Sequence, residues 1–361
     1  MKFSINWLLA FIPVTLVLEH AHAHAPLIFL SAALAIVPIA AAIVHSTEHL
    51  ATHTGDAIGG LLNATFGNAP ELIIAVVALR AGYVDMVRAS IIGAILANLL
   101  LALGVAFLLG GWRYKDQTYN AGASRLYSTM MLLAAVSLAV PSAFSRYFAP
   151  EHTMREEHLL NIGIAGALLF AYVLYLLFSL KTHPGWFESV AQADEAEDHH
   201  AEKAWSVPRA LGTLIAAAVL AAWMSEVLVG AAESTGKALG MSSVFMGIVL
   251  LAVIGGAAES GSAIGVAMKN KMDLSLGIAL GSSIQIALFV APVLVFASYF
   301  IAPQPLELSF SRAEVGSLFL GVLVGAVVCA DGRTNWFKGA QLITLYAIIA
   351  MMFYFMPGVA G

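Results

Sequence analysis

Long apolar runs broken by short polar stretches dominate this chain. Candidate spans fall near residues 4–18, 27–51, 56–80, 86–110, 123–142, 158–181, 207–235, 241–268, 273–300, 313–331 and 338–357. Most reach the ~20 residues that a helix needs to cross a ~30 Å hydrocarbon core. The pattern predicts an all-α polytopic membrane protein with eleven transmembrane helices. The first run is ambiguous by itself. Lys2, the apolar stretch Trp7–Leu18 and the small residues of Ala21–Ala25 also fit a signal peptide with its cleavage site. Because further spans follow and no soluble domain needs export, the run is read as a short leading span.

Composition agrees with a lipid setting. Of the 361 residues 60% are apolar and 11% charged, and the mean hydropathy is +0.87; soluble domains are ~25% charged. The net charge of −5 gives no ground for a nucleic-acid partner. Cys329 is the single cysteine, which excludes an internal disulfide and a thiolate metal cluster and is read as packed and inert. With the N-terminus inside, Lys2, Arg113, Lys115, Arg125, Lys181, Lys203, Arg209, Lys269, Lys271, Arg333 and Lys338 fall on the inner side, against Arg80, Arg88, Arg146, Arg155, Lys237 and Arg312 on the outer. That bias predicts a cytoplasmic N-terminus and an outside C-terminus.

One segment breaks the apolar pattern. Glu188–Glu202 reads ESVAQADEAEDHHAE, either a solvated linker or an acidic cytoplasmic helix that attracts cations or ties two halves together. It divides the chain into a leading helix and loop (1–26), a first half (27–185), the acidic linker (186–206) and a second half (207–361).

The halves repeat. Laid without a gap, Gly67–Leu109 over Gly255–Ala297 pairs Gly67 with Gly255, Ala69 with Ala257, Glu71 with Glu259, Asp85 with Asp273, and Gly93 with Gly281. The register moves the third span onto the eighth, an odd displacement, so the second copy crosses in the opposite sense. Inverted repeats of this kind, here two sets of five helices, place substrate sites near the membrane midplane.

Glu71 and Glu259 are the costly residues of that repeat. A charge at the bilayer centre costs ~2.5–3.5 kcal/mol on insertion scales. Neither glutamate has a Lys or Arg at its depth within its own span. Satisfaction by neighbouring hydroxyls is the bland reading; an external cation or proton is the functional one. Two carboxylates neutralise one divalent ion, and Ca²⁺ takes 6–8 oxygens at ~2.3–2.6 Å. Gly67 and Gly255 lie one turn before each glutamate, where an opened helix frees carbonyls. Pro70 removes one helical donor, which leaves the Phe66 carbonyl without its partner. Asn68, Asn98, Ser282, Ser283 and Gln285 are nearby sources of neutral oxygen. With no Cys or His in the set, a hard cation is expected. A carboxylate withdrawn from water favours its neutral form, so protons and metal compete for the pair.

These residues carry a family resemblance. GGLLNATFGNAPELII (Gly59–Ile74), and IGGAAES with VAMKNKMDLSLGIALGSSIQIALFVAP between Ile254 and Pro292, closely resemble the two signatures of the calcium/cation–proton exchanger (CAX) family. The resemblance runs through nearly the whole chain. It implies eleven helices, Ca²⁺/H⁺ antiport rather than an enzyme, and Ca²⁺ as cargo with no cofactor. It implies a metal site at Glu71 and Glu259 with Gly67, Gly255, Asn98, Ser282 and Gln285. It also implies a proton route through Glu48 and Glu226. Gly256 and Ser260 stand where the family usually has Asn and His, and Pro70 where an aliphatic residue is common. A prokaryotic plasma membrane is the expected location, and a homo-oligomer is compatible with it.

Rival readings stay in view. Na⁺/Ca²⁺ exchange resembles this fold but usually adds an acid on the span after the second glutamate, where this chain has Ser282, Ser283 and Gln285. An intramembrane protease would pair two acids around a water, but the motifs here do not suit it. The repeat weighs against a passive channel. His20, His22 and His24, and His199 with His200, read as polar loop residues. Asp331 is expected to end the tenth span, and Glu233 either to line an entry vestibule or to sit at the interface.

Overall fold

The computed structural model describes residues 5–54, 56–147, 154–186 and 205–356. The acidic segment Glu188–Glu202 lies outside them. In chain order the helices are α1 (Ile5–His20), α2 (Ala25–Ala51), α3 (Asp56–Phe66), α4 (Ala69–Arg80), α5 (Val84–Tyr114), α6 (Ala121–Tyr147) and α7 (Met154–Leu177). After the acidic segment come α8 (Val207–Leu239), α9 (Ser243–Gly255), α10 (Ala257–Ala267), α11 (Met272–Ile301), α12 (Arg312–Val328) and α13 (Trp336–Phe355). Two short strands, β1 (Asp116–Thr118) and β2 (Arg333–Asn335), pair antiparallel.

Among the described residues, seven helices are long and apolar enough to cross a membrane, or eight if the bent pair α9–α10 counts as one. The other predicted spans fall on shorter pieces: α1, α12 and the interrupted pair α3–α4. Local chemistry sets the ends. Gly240 adopts φ +67 after α8, and Met241 N–H donates to Gly236 O at 2.8 Å, closing the helix. Ser311 and Glu314 form a reciprocal capping box at the start of α12.

Helix α5 lies at the centre. Its apolar window is 83% buried, against 22% for Glu156–Thr182, which runs on the periphery. Phe170, Val219, Phe300 and Phe355 point outward and are well exposed, as apolar side chains facing lipid are. One hydrophobic cluster surrounds α5 and α11. A second joins α2 to α8 and reaches Ile74, Met86, Met246 and Leu251. Helices α5 and α9 cross at glycines: a Cβ on Gly93 would lie 2.1 Å from Ile248 O, and one on Gly247 2.2 Å from Met86 O. Small residues permit such close backbone contact in membranes.

Among the described residues, π turns occur at Ala97–Ala102, Met246–Leu251 and Ile286–Val290, and a fourth at Phe178–Thr182. The first three lie on α5, α9 and α11, the segments that enclose the glutamates, and the fourth follows the peripheral α7. Such turns are rare and often mark functional positions.

The connection between α11 and α12 is extended and partly inserted. Leu306, Leu308 and Phe310 are buried at period two. Side chains replace the missing ladder. Asn161 donates to Leu306 O (2.9 Å) and accepts from Leu308 N–H (3.0 Å). Ser142 accepts from Phe310 N–H (2.7 Å), and Ser298 from Leu306 N–H (2.8 Å). Asn161→Leu is therefore expected to lower thermal stability in detergent, by roughly 1–3 kcal/mol for each backbone group it orphans. An unchanged melting temperature would contradict this role.

On another edge, β1 holds the turn between α10 and α11. Gln117 Nε2 donates to Ala267 O (2.9 Å) and Asn270 Oδ1 (3.0 Å). Tyr114 Oη donates to Met268 O (3.1 Å), and Asn120 N–H to Asp273 (2.6 Å).

Candidate cation site

Each glutamate begins a helix immediately after a break. Helix α3 stops at Phe66, and α4 restarts from Asn68 with Pro70 and Glu71 in its first turn. Helix α9 stops at Gly255, and α10 restarts after Gly256 at a bend of 56°, with Glu259 in its first turn. Proline fits a first helical turn, where its absent N–H costs nothing. The positive end of each helix thus adjoins a carboxylate.

The breaks face each other reciprocally. A Cβ on Gly67 would lie 3.5 Å from Glu259 Oε1 and 3.8 Å from Gln285 Oε1. A Cβ on Gly255 would lie 3.1 Å from Glu71 Cγ, and one on Gly256 3.7 Å from Glu71 Oε1. Each glutamate therefore packs over the opened turn of the other half, and glycine leaves it the room.

Neutral side chains close the ring. Ser282 accepts from Asn98 Nδ2 (3.0 Å) and donates to Asn68 Oδ1 (2.9 Å), while Asn68 Nδ2 donates to Gln285 Oε1. The Ser282 hydroxyl also lies beside Glu259. Asn68, Asn98 and Ser282 are buried. Ser283 differs from the sequence expectation: its hydroxyl turns back to Ala279 O (2.9 Å) within its own helix.

The carboxylates are left unsatisfied. Both oxygens of Glu71, and Oε2 of Glu259, are shut from solvent with no hydrogen-bond partner among the described residues. Unpartnered buried charge is costly, so these atoms call for a proton or a cation. Among the described residues no cluster of three or more His, Cys, Asp or Glu side chains could hold a metal. A cation at this place would rest on two carboxylates supplemented by amide, hydroxyl and carbonyl oxygen, a hard-cation donor set.

Access is one-sided. A cavity of about 290 Å³ reaches Glu259 past Glu48, Asn63, Tyr127, Asp273, Ser282 and Gln285. Glu71 instead borders a void of only about 30 Å³, walled by Ile74, Val87, Ile91, Leu251, Val290 and Leu294. Glu48, predicted for the proton route, lines the cavity of Glu259. Glu226 does not: with Arg80 and Val229 it lines a separate depression. Glu233 pairs with Lys237 (2.6 Å) and accepts from Tyr83 Oη (3.2 Å). Tyr127 was missed by sequence reasoning. Nothing in the sequence sets its hydroxyl apart from the several Ser and Thr hydroxyls on the same helix.

A helical membrane bundle with paired intramembrane carboxylates and discontinuous helices defines an integral membrane ion transporter. The chain belongs to the sodium/calcium exchanger protein family, whose pattern matches residues 24–181 and 209–355. It is 42% identical to a Ca²⁺/H⁺ antiporter of Aphanothece halophytica over 97% of this chain and 96% of that one. It is 37% identical to a vacuolar calcium ion transporter of Schizosaccharomyces pombe over 99% of this chain and 86% of that one. Its fold matches the solved structure of YfkE, a Ca²⁺/H⁺ antiporter, with a TM-score of 0.83 and 35% identity, covering 98% of this chain and 100% of that one.

Proposed function

We propose that this protein is a secondary antiporter that exchanges Ca²⁺ for H⁺ by alternating access. The observation that carries the reading is the pair of carboxylates set across reciprocal helix breaks, three of whose four oxygens are buried without a hydrogen-bond partner among the described residues. Two protons neutralise what one divalent ion neutralises, so the site is either loaded or protonated. The relatives named above as Ca²⁺/H⁺ antiporters support the same exchange.

Glu71 and Glu259 hold the ion in this reading, with carbonyl oxygen from the turns at Gly67 and Gly255 and side-chain oxygen from Asn98, Ser282 and Gln285. Glu48, at the mouth of the water-filled side, passes protons and draws in cations. Glu226 serves the opposite entrance. Eleven spans follow if α1, the α3–α4 pair and α12 also cross, as one leading helix and two inverted sets of five. The shared break-then-glutamate pattern of α3–α4 and α9–α10 supports that repeat. With the N-terminus cytoplasmic and the C-terminus outside, the open cavity faces the cytoplasm and the site is inward-facing. A prokaryotic plasma membrane suits this reading.

The test is Ca²⁺ uptake into vesicles reconstituted with the protein, under an imposed pH gradient, with and without sodium. Uptake driven by the proton gradient and indifferent to sodium is expected. Uptake that needs sodium and ignores pH would assign the protein to Na⁺/Ca²⁺ exchange instead.

A further inference from the structure

The cytoplasmic end of α2 in the proposed orientation and the turn after it carry three histidines one turn apart, His45, His49 and His53, around Trp205 at the approach to α8. The His49 ring stacks on Trp205 (centroids 4.6 Å apart, 17° between planes), and His45 meets the same indole edge-on at 5.4 Å. The Arg209 guanidinium sits 4.4 Å from the Trp205 ring centre. His53 Nε2 bonds to the Trp205 carbonyl at 2.7 Å. His45 also lies 3.4 Å, through Nδ1, from Glu48 Oε2. Glu48 is the acid that lines the cavity of Glu259.

Hydrogen-bond direction fixes where the ring protons sit. A backbone N–H only donates, and that of Trp205 points at His49 Nδ1 (3.5 Å). His49 in its neutral form therefore carries its hydrogen on Nε2, which faces His45 Nε2 at 3.3 Å. His45 Nε2 then accepts, which leaves its own hydrogen on Nδ1, the atom 3.4 Å from Glu48 Oε2. Adding one proton to His45 gives both facing Nε2 atoms a hydrogen. The link to His49 is lost, and a full positive charge stands beside Glu48.

We propose that His45 is a proton-operated positioning residue for Glu48, which sets the charge that the mouth of the cavity presents to an arriving cation. The proposal rests on the transport reading given above. With His45 neutral, Glu48 and Asp273 of α11 leave the mouth acidic. With His45 protonated, Glu48 is paired and the mouth attracts cations less. The other charged or titratable groups around it are His49 on α2, His53 in the turn after it, Arg209 on α8, and Glu259 of α10 deeper in the cavity; Asn63 of α3 is neutral. Histidine changes charge within about pH 5–8, above the range in which a solvated glutamate does. His45 and Glu48 are both about half exposed, 48% and 53%, so the effect is of the size of one solvated ion pair.

The experiment is Ca²⁺/Ca²⁺ exchange in vesicles at equal pH on both faces, at about pH 6 and about pH 8. Proton competition at Glu71 and Glu259 weakens binding at acid pH in every variant. His45→Gln removes only the added pairing of Glu48. It is expected to show a KM for Ca²⁺ about threefold lower than the parent at the acid pH, equal KM at the alkaline pH, and no such gain in a Glu48→Gln background. Damage to the fold would not improve affinity. A His45→Gln profile superimposed on the parent, or the same gain without Glu48, would overturn the proposal. Absence of Ca²⁺ exchange in the parent protein would overturn the transport reading beneath it.

Discussion

Glu71→Gln and Glu259→Gln should each abolish exchange while leaving a membrane-inserted, monodisperse protein. The substitution keeps the side-chain shape and removes the charge. Three of the four carboxylate oxygens make no hydrogen bond among the described residues, and beside Glu259 the Ser282 hydroxyl can still bond an amide oxygen. What is lost is half of the negative charge available to a divalent ion. Removing one member of a buried charge pair costs ~2–5 kcal/mol, or at least about 30-fold in affinity. A neutral amide also resembles the protonated state, so the site would be held as if never unloaded of its proton. Ca²⁺ binding to the purified protein and uptake in vesicles read the two effects separately. Full transport in both variants would move the site elsewhere.

Gly93→Val should prevent the protein from folding stably. The added Cβ would meet the backbone oxygen of Ile248 at 2.1 Å, and Ile248 Cα at 2.5 Å. Backbone cannot turn aside as a side-chain tip can, and Gly247 presses equally hard on Met86 from the other helix. Overpacking of ordinary cores costs ~1–3 kcal/mol; two helices pushed apart beside the site should exceed that. Gly163→Ala is the control, because nothing lies within 4 Å of its Cβ position. Thermal aggregation followed by size-exclusion chromatography compares them. Equal stability of the two variants would show that the crossing yields.

Most of the helical pattern was legible because lipid imposes one simple demand, a long apolar run. The breaks were legible too, through Gly67, Pro70 and Gly255, and the repeat singled out two glutamates from 22 acidic residues. Other features left little trace in the sequence. The π turns carry no residue signature, since ANLLLA and MGIVLL read as ordinary helix. The alternation Leu306, Leu308, Phe310 was present but too short to stand out beside flanking spans. Hydroxyls that look alike in sequence separate only by rotation about the helix: Ser282 joins the polar ring and Ser283 bonds its own backbone. The link from Glu48 through His45 to Trp205 spans distant chain segments, and no local pattern announces it.

The small ladder between β1 and β2 bears on the order in which the molecule is made. Asp116, Gln117 and Thr118 emerge from the ribosome long before their partners Asn335, Thr334 and Arg333. Contacts so far apart in sequence are late and slow to form. The turn Ala267–Asp273, which joins the helix of Glu259 to that of Ser282 and Gln285, is gripped by the β1 side of this ladder. The β1 side of that grip is therefore backed by β2 only when translation is almost complete, and a nascent chain stalled before Arg333 would carry both glutamates of the proposed site with β1 unpaired.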